Sequence, residues 1–269
     1  MTRTLEHDVN ALTALNPITG KNDNLSVLLA DQAEMKLLHM VPSPVDRVPT
    51  FTMFGNDNYF NQTANPSAPN QGAGKDCSQP APIQPCVVEG PGFAWNHGDF
   101  QRQITRTWFG MVGPGVAVQG RNDDVFSDHT DLRPTMMTLL GLKDDYIHDG
   151  RVLVEKLASR ALPDALEDSR EDYVELAQAY KNINATKGPV GRNSLVYANQ
   201  SINGNDKTYG KYLKTIGEIT DERNELASQM IALLNGAAFE HQRIREQDDL
   251  VERARRLVDK VEGLAGRGE

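Results

Sequence analysis

Three short stretches of the sequence place a histidine among acidic or amide side chains. "NHGD" contains Asn96 and His97, "SDHTD" contains His129, and "DDYIHDG" contains His148. Imidazole and carboxylate groups are ligands that zinc and manganese accept in proteins. The acids also have structural interpretations, since Asp131 stands where a helix cap is expected and Asp-Gly pairs form turns. The spacing alone therefore leaves a metal site and ordinary capping as open alternatives.

No motif for a catalytic nucleophile accompanies these histidines. The sequence lacks the G-x-S-x-G elbow, the phosphate-binding P-loop and the glycine pattern of dinucleotide-binding folds. The residues by themselves therefore leave the catalytic groups unknown.

The elements that must position these stretches change in character near residue 160. Before it, short apolar runs alternate with Gly/Pro turns, which is typical of an α/β layer structure. We predict strands at 50–54, 92–95 and 108–113, and helices at 3–15, 31–39 and 131–141. Residues 1–160 are therefore predicted to form an α/β domain and residues 161–269 a separate helical tail.

A long segment rich in Pro, Gly, Asn and Gln interrupts the first domain at residues 61–90. Segments of this length without periodicity are usually insertions or functional loops. Cys77 and Cys86 lie inside it, and either a local disulfide or two unpaired thiols fits their spacing. A disulfide would suit an oxidising compartment.

The tail carries apolar residues at helical spacing in three stretches, at 165–183, 206–235 and 247–264. Short turn-rich segments separate them, which favours an antiparallel hairpin or small bundle. A coiled-coil contact with a partner is the alternative, although no long strict heptad repeat is present.

Charge and hydropathy exclude several classes of partner. The net charge of −9 and a pI near 5.2 argue against nucleic acid as a partner, because phosphate binding needs a concentrated basic face. No apolar stretch approaches the roughly 20 residues of a membrane span. The N-terminus lacks the apolar middle of a signal peptide.

The order of motifs within residues 93–157 resembles the C-terminal portion of the alkaline phosphatase superfamily, near its sulfatase and type I phosphodiesterase branches. The segments that carry the resemblance are "AWNHGD", "WFGMVGPGV", "SDHTDLRPTMMTLLGL" and "HDGRVLVEKL". In that family they correspond to a metal-binding strand end, a strand with a Gly-Pro-Gly turn, an acid-led helix and a turn before a short helix. The succession is more specific than any one of its pieces.

The resemblance implies a partial parallel sheet with helices and a metal-dependent hydrolysis of phosphate or sulfate esters. The implied ligands are His97 and His129, together with Asn96, which stands where the family has an aspartate. Asn96 lacks the negative charge of that aspartate, so metal binding should be weaker. Zinc is the expected metal, with manganese or calcium as alternatives, and Asp131 is expected to have a structural role.

The family's first metal aspartate and its nucleophile have no counterpart near the start of this sequence, which begins instead with an amphipathic helix. We therefore expect the C-terminal section of a phosphoesterase-like hydrolase, inactive by itself, that acts on a small phosphate ester when paired with an N-terminal half. A homo-oligomer is the alternative assembly. The family and the cysteine loop favour an extracytoplasmic location. The competing hypothesis is a non-catalytic binding or structural protein that associates through its scaffold and helical tail.

Overall fold

A computed structural model of the chain describes residues 2–16, 18–59, 100–143 and 145–266. The predicted strand at 92–95, the predicted ligands Asn96 and His97, and the pair Cys77 and Cys86 lie outside these described residues. The described chain is mixed α/β with a helical C-terminal region.

The regular elements follow one another as α1 (Thr2–Asn10), β1 (Thr13–Leu15), β2 (Asn22–Asn24), β3 (Ser26–Asp31), α2 (Gln32–Leu37), β4 (Phe51–Gly55), α3 (Arg102–Thr105), α4 (Leu132–Leu140), α5 (Asp164–Asp168), α6 (Arg170–Asn184), α7 (Pro189–Ile202), α8 (Asp206–Phe239) and α9 (Asp248–Ala265). They belong to two compact units. The first unit contains Met1–Leu29 and Phe51–Thr107, and the second contains Ala30–Thr50 and Trp108–Glu269.

The first unit begins with a helix that is shorter than the sequence predicts. Helix α1 ends at Asn10, and the chain continues into strand β1, which pairs antiparallel with β2 so that Thr13 lies opposite Asn24. The side chain of Asn16 accepts hydrogen bonds from the backbone of Ile18 and Thr19, which fixes the turn after β1. The predicted helix over 3–15 is therefore wrong in its last five residues, because this side chain–backbone turn competes with helix continuation.

The second small sheet pairs β3 with β4 in antiparallel orientation. Strand β4 confirms the strand predicted at 50–54. Nearby in the first unit, the rings of Phe54 and Phe100 lie 5.1 Å apart and form part of a small apolar cluster. Over the described ranges the sheets are two-stranded and antiparallel, so the parallel sheet implied by the resemblance is not found there.

The predicted strand at 108–113 is also wrong. These residues adopt no regular structure, and the only β-contact close to them in the described chain is a single antiparallel bridge between Val116 and Leu157. A strand requires a neighbour to receive its backbone hydrogen bonds, and the described residues supply one for too short a length.

The helices predicted in the second unit are confirmed at α2, α4, α6, α8 and α9. Helix α4 ends at Gly141, which adopts the left-handed conformation (φ 63°) that favours glycine at a helix end. Helix α7 was not predicted, because "GPVGRN" has the composition of a turn. Pro189 occupies the first turn of this helix, where the missing N–H of proline costs nothing.

Helices α6, α7, α8 and α9 pack against one another and form the main core of the second unit. Their fully buried residues repeat at helical spacing; Leu176, Leu195, Leu226, Met230, Leu257 and Val261 are each at most 1% exposed. Burying each such side chain stabilises the fold by about 1.5–3 kcal/mol relative to leaving it in water. The apolar faces of α8 and α9 are thus covered within the unit, which supports the bundle rather than the coiled-coil alternative.

Candidate functional site

The acids of "SDHTD" form one buried network with residues far along the chain. Asp131 is 0% exposed, and its carboxylate accepts hydrogen bonds from the backbone N–H of Asp128 and of Arg151, each at 3.0 Å. The Lys181 ammonium lies 3.1 Å from Asp131 and 2.8 Å from Asp128. We call Asp128, Asp131, Arg151 and Lys181 the Asp131 network.

Local sequence explains why the two acids converge. Residues His129–Asp131 form a short 3-10 turn that leads into α4, and Asp128 caps it by accepting a hydrogen bond from the backbone of Thr130. Asp131 returns the interaction to the backbone of Asp128, which completes a capping box. The predicted capping role of Asp131 is therefore confirmed in a modified form, since Asp128 is the residue before the turn.

Two further contacts join this turn to the "HDGR" segment. The hydroxyl of Thr135 donates to the backbone carbonyl of Asp131 and accepts from the backbone N–H of Leu153 at 2.9 Å. A Cβ atom at Gly150 would lie 2.1 Å from the backbone oxygen of Thr130, so no larger residue fits there without a shift of the backbone. Two of the motifs that carry the resemblance, "SDHTDLRPT" and "HDGR", therefore pack directly against each other.

The electrostatics of the network favour the ionised form of Asp128. Burial of Asp128 opposes ionisation, but the Lys181 charge and hydrogen bonds from Lys181 and Thr130 outweigh it, so the pKa of Asp128 is lowered. Arg151 is buried and its guanidinium pairs with Glu155 at 2.6 Å. Burial lowers the pKa of Arg151, yet the contacts with Glu155 and the charge of Asp131 raise it further than burial lowers it. Both acids thus pair with the buried ammonium of Lys181, and Asp131 is fully buried beside it.

The predicted ligand His129 does not join this network. Its side chain is exposed and makes no hydrogen bond or ion pair with any residue in the described ranges. His148 is 6% exposed and lies against the rings of Tyr146 and Phe239, away from the acids of the network. In the part of the chain that the structure describes, no three His, Cys, Asp or Glu side chains are grouped so that they could hold a metal ion.

A cavity of about 250 Å³ opens beside His148. Tyr146 and Phe239 contribute aromatic surface to its lining, and Lys143 and Glu240 form a 2.8 Å ion pair there. Asp145, Asn235 and Glu240 also line the cavity, but the described His, Cys, Asp and Glu side chains there are not grouped so that three of them could hold a metal ion.

Sequence reasoning missed the two buried cations of the Asp131 network. Lys181 lies eight residues after Tyr173 and four after Ala177, and thus on the apolar face of α6. A charged residue at a position where the helical stripe requires an apolar one is the signal that could have identified it. Arg151 follows the Asp-Gly turn and has no comparable signal.

Comparison with family models, with curated proteins and with solved structures finds no match to this chain. None of the helices in the described residues is both long and apolar enough to cross a membrane.

Proposed function

We propose that this chain is the C-terminal section of a metal-dependent phosphoesterase-like hydrolase whose catalytic domain is completed by another polypeptide segment. The motif order in residues 93–157 is the basis of this proposal, and two properties of the structure support it. The first is the Asp131 network, which holds the "DLRPT" helix and the "HDGR" turn together as one folded scaffold.

The second property is the distribution of exposed apolar side chains, and it is the strongest support for the proposal. Among the described side chains of the second unit, eleven large apolar ones are exposed, and ten of these lie within residues 108–147. Trp108 is 88% exposed and Val112 is 100% exposed. Soluble proteins rarely leave so many large apolar residues of one short segment in water unless a partner covers them.

Residues 108–112 have the apolar composition of a β-strand but do not pair with another strand of the described chain. Between Trp108 and Val112 the backbone belongs to no ladder in the described chain. Unpaired backbone next to apolar side chains is the usual template for an added strand. A completing polypeptide segment that contributes a strand would supply both the hydrogen-bonding partner and the apolar cover.

The metal site of the proposed hydrolase would use His97 and Asn96, with His129 as a third ligand. The exposed position of His129 leaves its imidazole available to an incoming segment. The buried acids of the Asp131 network are assigned to structure, so further negatively charged ligands and the nucleophile would come from the completing segment. A bound dication would polarise the phosphoryl oxygen and stabilise charge that develops on the leaving group.

Zinc binding by the purified chain tests this proposal. We expect equilibrium dialysis to show weak binding of Zn²⁺ that is lost in H97A. The substitution N96D should tighten binding by at least roughly tenfold, because it restores a unit charge in contact with the dication. The variant H7A removes an exposed histidine from α1 and should leave zinc binding unchanged.

Activity measurements complete the test. The chain alone should hydrolyse 4-nitrophenyl phosphate and bis(4-nitrophenyl) phosphate no faster than buffer with the same zinc concentration. Failure of the parent chain to take up zinc, or equal zinc affinity in the parent and N96D, would contradict the assignment of the metal site. Turnover by the isolated chain would contradict the requirement for a completing segment.

The competing function, a non-catalytic association protein, is favoured by the same exposed surface. In that case residues 108–147, rather than the helical tail, would be the association surface, since the tail helices cover one another. The zinc measurements separate the two functions, because an association protein has no reason to respond to N96D.

A further inference from the structure

Three positively charged side chains are buried in the described part of the second unit, and one of them lacks a counter-ion. Arg151, Lys181 and Arg223 are each 1% exposed. Arg151 pairs with Glu155, and Lys181 pairs with the acids of the Asp131 network. No described carboxylate lies within ion-pair distance of Arg223. An uncompensated buried charge is costly, so a partner for Arg223 is expected.

The protein groups around Arg223 satisfy its guanidinium only in part. One terminal nitrogen, Nη1, is directed at Nε2 of His39 and lies 3.4 Å from Oδ1 of Asn184. The other, Nη2, lies 3.5 Å from the backbone oxygen of Lys36. Both oxygen contacts are at the outer limit of a hydrogen bond. The Nε atom is buried and has no partner among the residues described.

The buried acid Glu34 does not neutralise Arg223 at neutral pH. Burial raises the pKa of Glu34 to about 8, against a smaller opposing effect of its hydrogen bond with Ser194. Glu34 is therefore mainly protonated at pH 7. Burial lowers the pKa of Arg223 to about 10, and the guanidinium remains positively charged at that pH.

His39 lies beside the buried guanidinium, and its contacts there conflict with one another. Its side chain is exposed, and its backbone has φ 57°, a left-handed conformation that is uncommon for residues other than glycine. Its Nε2 faces the Arg223 donor and also two acceptors, the backbone oxygen and Oδ1 of Asn184, at 3.0 and 3.2 Å. One imidazole nitrogen cannot accept a hydrogen bond and donate one at the same time. At least one of these contacts is therefore unsatisfied.

We propose that Arg223, His39 and Asn184 form a binding site for a small oxyanion, a carboxylate or a phosphate group. The oxyanion takes the position of the His39 ring edge, and its oxygens accept hydrogen bonds from the guanidinium. The planar fork of an arginine suits two oxygens of one carboxylate or phosphate. With the anion in place, Arg223 gains a counter-charge and His39 is released from its conflicting contacts. This inference does not depend on the proposed hydrolase function.

Asp149 is the charged group that opposes such binding. Its negative charge raises the pKa of His39, whereas partial burial and the Arg223 charge lower that pKa by more. Asp149 is exposed and acts on His39 through its charge. The substitution D149N would remove a repulsive charge near the site and keep the backbone oxygen that accepts from Tyr180.

Isothermal titration calorimetry of the full chain tests the proposal, with inorganic phosphate and acetate as probes and with chloride used to hold the ionic strength constant. We expect one oxyanion to bind per chain. In R223M the affinity should fall at least ~10-fold, the loss expected for hydrogen bonds to a charged group. The variant R245M, which removes an exposed arginine, should bind as the parent does. D149N should bind several-fold more tightly.

Thermal unfolding without added oxyanion provides the second measurement. If Arg223 belongs to an anion site, R223M without added oxyanion should unfold at the same or a higher temperature than the parent, because an apolar residue replaces an uncompensated charge. A lower unfolding temperature of R223M, together with no oxyanion binding by the parent, would assign Arg223 to a purely structural role and overturn the proposal. Should R223M fail to fold, R223K keeps the charge but loses the fork, and parent-like binding by R223K would equally contradict the site.

Discussion

Residues 108–147 and the helices α6 to α9 use apolar side chains in opposite ways. The helices bury theirs against one another, and Leu213 is the one large apolar residue that the structure leaves exposed among the described positions of 148–266. Residues 108–147 expose ten, and ion pairs of Asp131 with Lys181 and of Lys143 with Glu240 join this segment to α6 and to the end of α8. One region is thus held by its own core, and the other is attached through a polar network while its apolar surface remains uncovered.

This difference shows that one part of a compact unit can bury its apolar side chains while another part of the same unit leaves them exposed. A bundle needs only its own helices to remove apolar surface from water, which is the dominant favourable contribution to folding. The segment at 108–147 has the apolar composition of a protein core, but the described residues do not cover its exposed apolar side chains. Its proposed role as part of a larger catalytic domain follows from that discrepancy.

The largest expected effect comes from breaking the network that joins the two regions. In D131A, Lys181 and the N–H of Arg151 would lose their buried acceptor, and we expect a loss of about 3–5 kcal/mol in the free energy of unfolding. Urea denaturation followed by circular dichroism measures it. The control D145A removes an exposed acid and should change stability by less than about 0.5 kcal/mol. Equal effects of the two substitutions would mean that the network does not hold residues 108–147 in place.

A smaller effect is expected from the buried acid of the helical region. Burial raises the pKa of Glu34 from 4.5 to about 8 in the folded state. The folded protein therefore holds a proton that the unfolded chain releases, so this contribution to stability is full below about pH 4.5 and is lost as the pH rises to about 8.

The variant E34Q tests this contribution because glutamine resembles the protonated acid and does not titrate. Compared with the parent, E34Q should gain stability progressively between pH 5 and pH 8, by an amount on the order of a few kcal/mol. Urea denaturation at several pH values measures the difference. A difference between E34Q and the parent that is constant over this range would show that Glu34 does not exchange its proton there.

The smallest expected effect on stability comes from the exposed segment itself. The double variant W108S/V112S should change the free energy of unfolding by no more than about 0.5 kcal/mol, since both side chains are already in water. It should nevertheless reduce the binding of a hydrophobic dye and any self-association of the chain. L213S removes the exposed apolar residue of the helical region and serves as the matched control. A loss of stability above about 1.5 kcal/mol in the double variant would show that the segment is packed after all.

Local pattern was sufficient for much of the helical region. The apolar stripe around Leu226 predicted α8, and Gly141 predicted the end of α4, because helical periodicity and the conformational freedom of glycine act within a few residues. Helix α7 was not predicted, because its Gly-Pro start has the local composition of a turn. The helix becomes recognisable only from its packing in the folded structure.

The candidate site was less predictable. The sequence indicated that the acids around His129 could belong to a metal site or cap a helix, with Asp131 as the expected cap. It could not show that Lys181, fifty residues later, would occupy the space beside Asp131. Asn96 and His97 stay predicted ligands, because they lie outside the described residues.

The sequence by itself determined most of the helical segments, since helical periodicity depends on the order of neighbouring residues. Only the tertiary structure decided what the buried charges do. Lys181 pairs with two acids from a segment distant in the chain, whereas no carboxylate of the described residues pairs with Arg223. The energy of a buried charge depends on what surrounds it in space, and that surrounding exists only after the chain has folded.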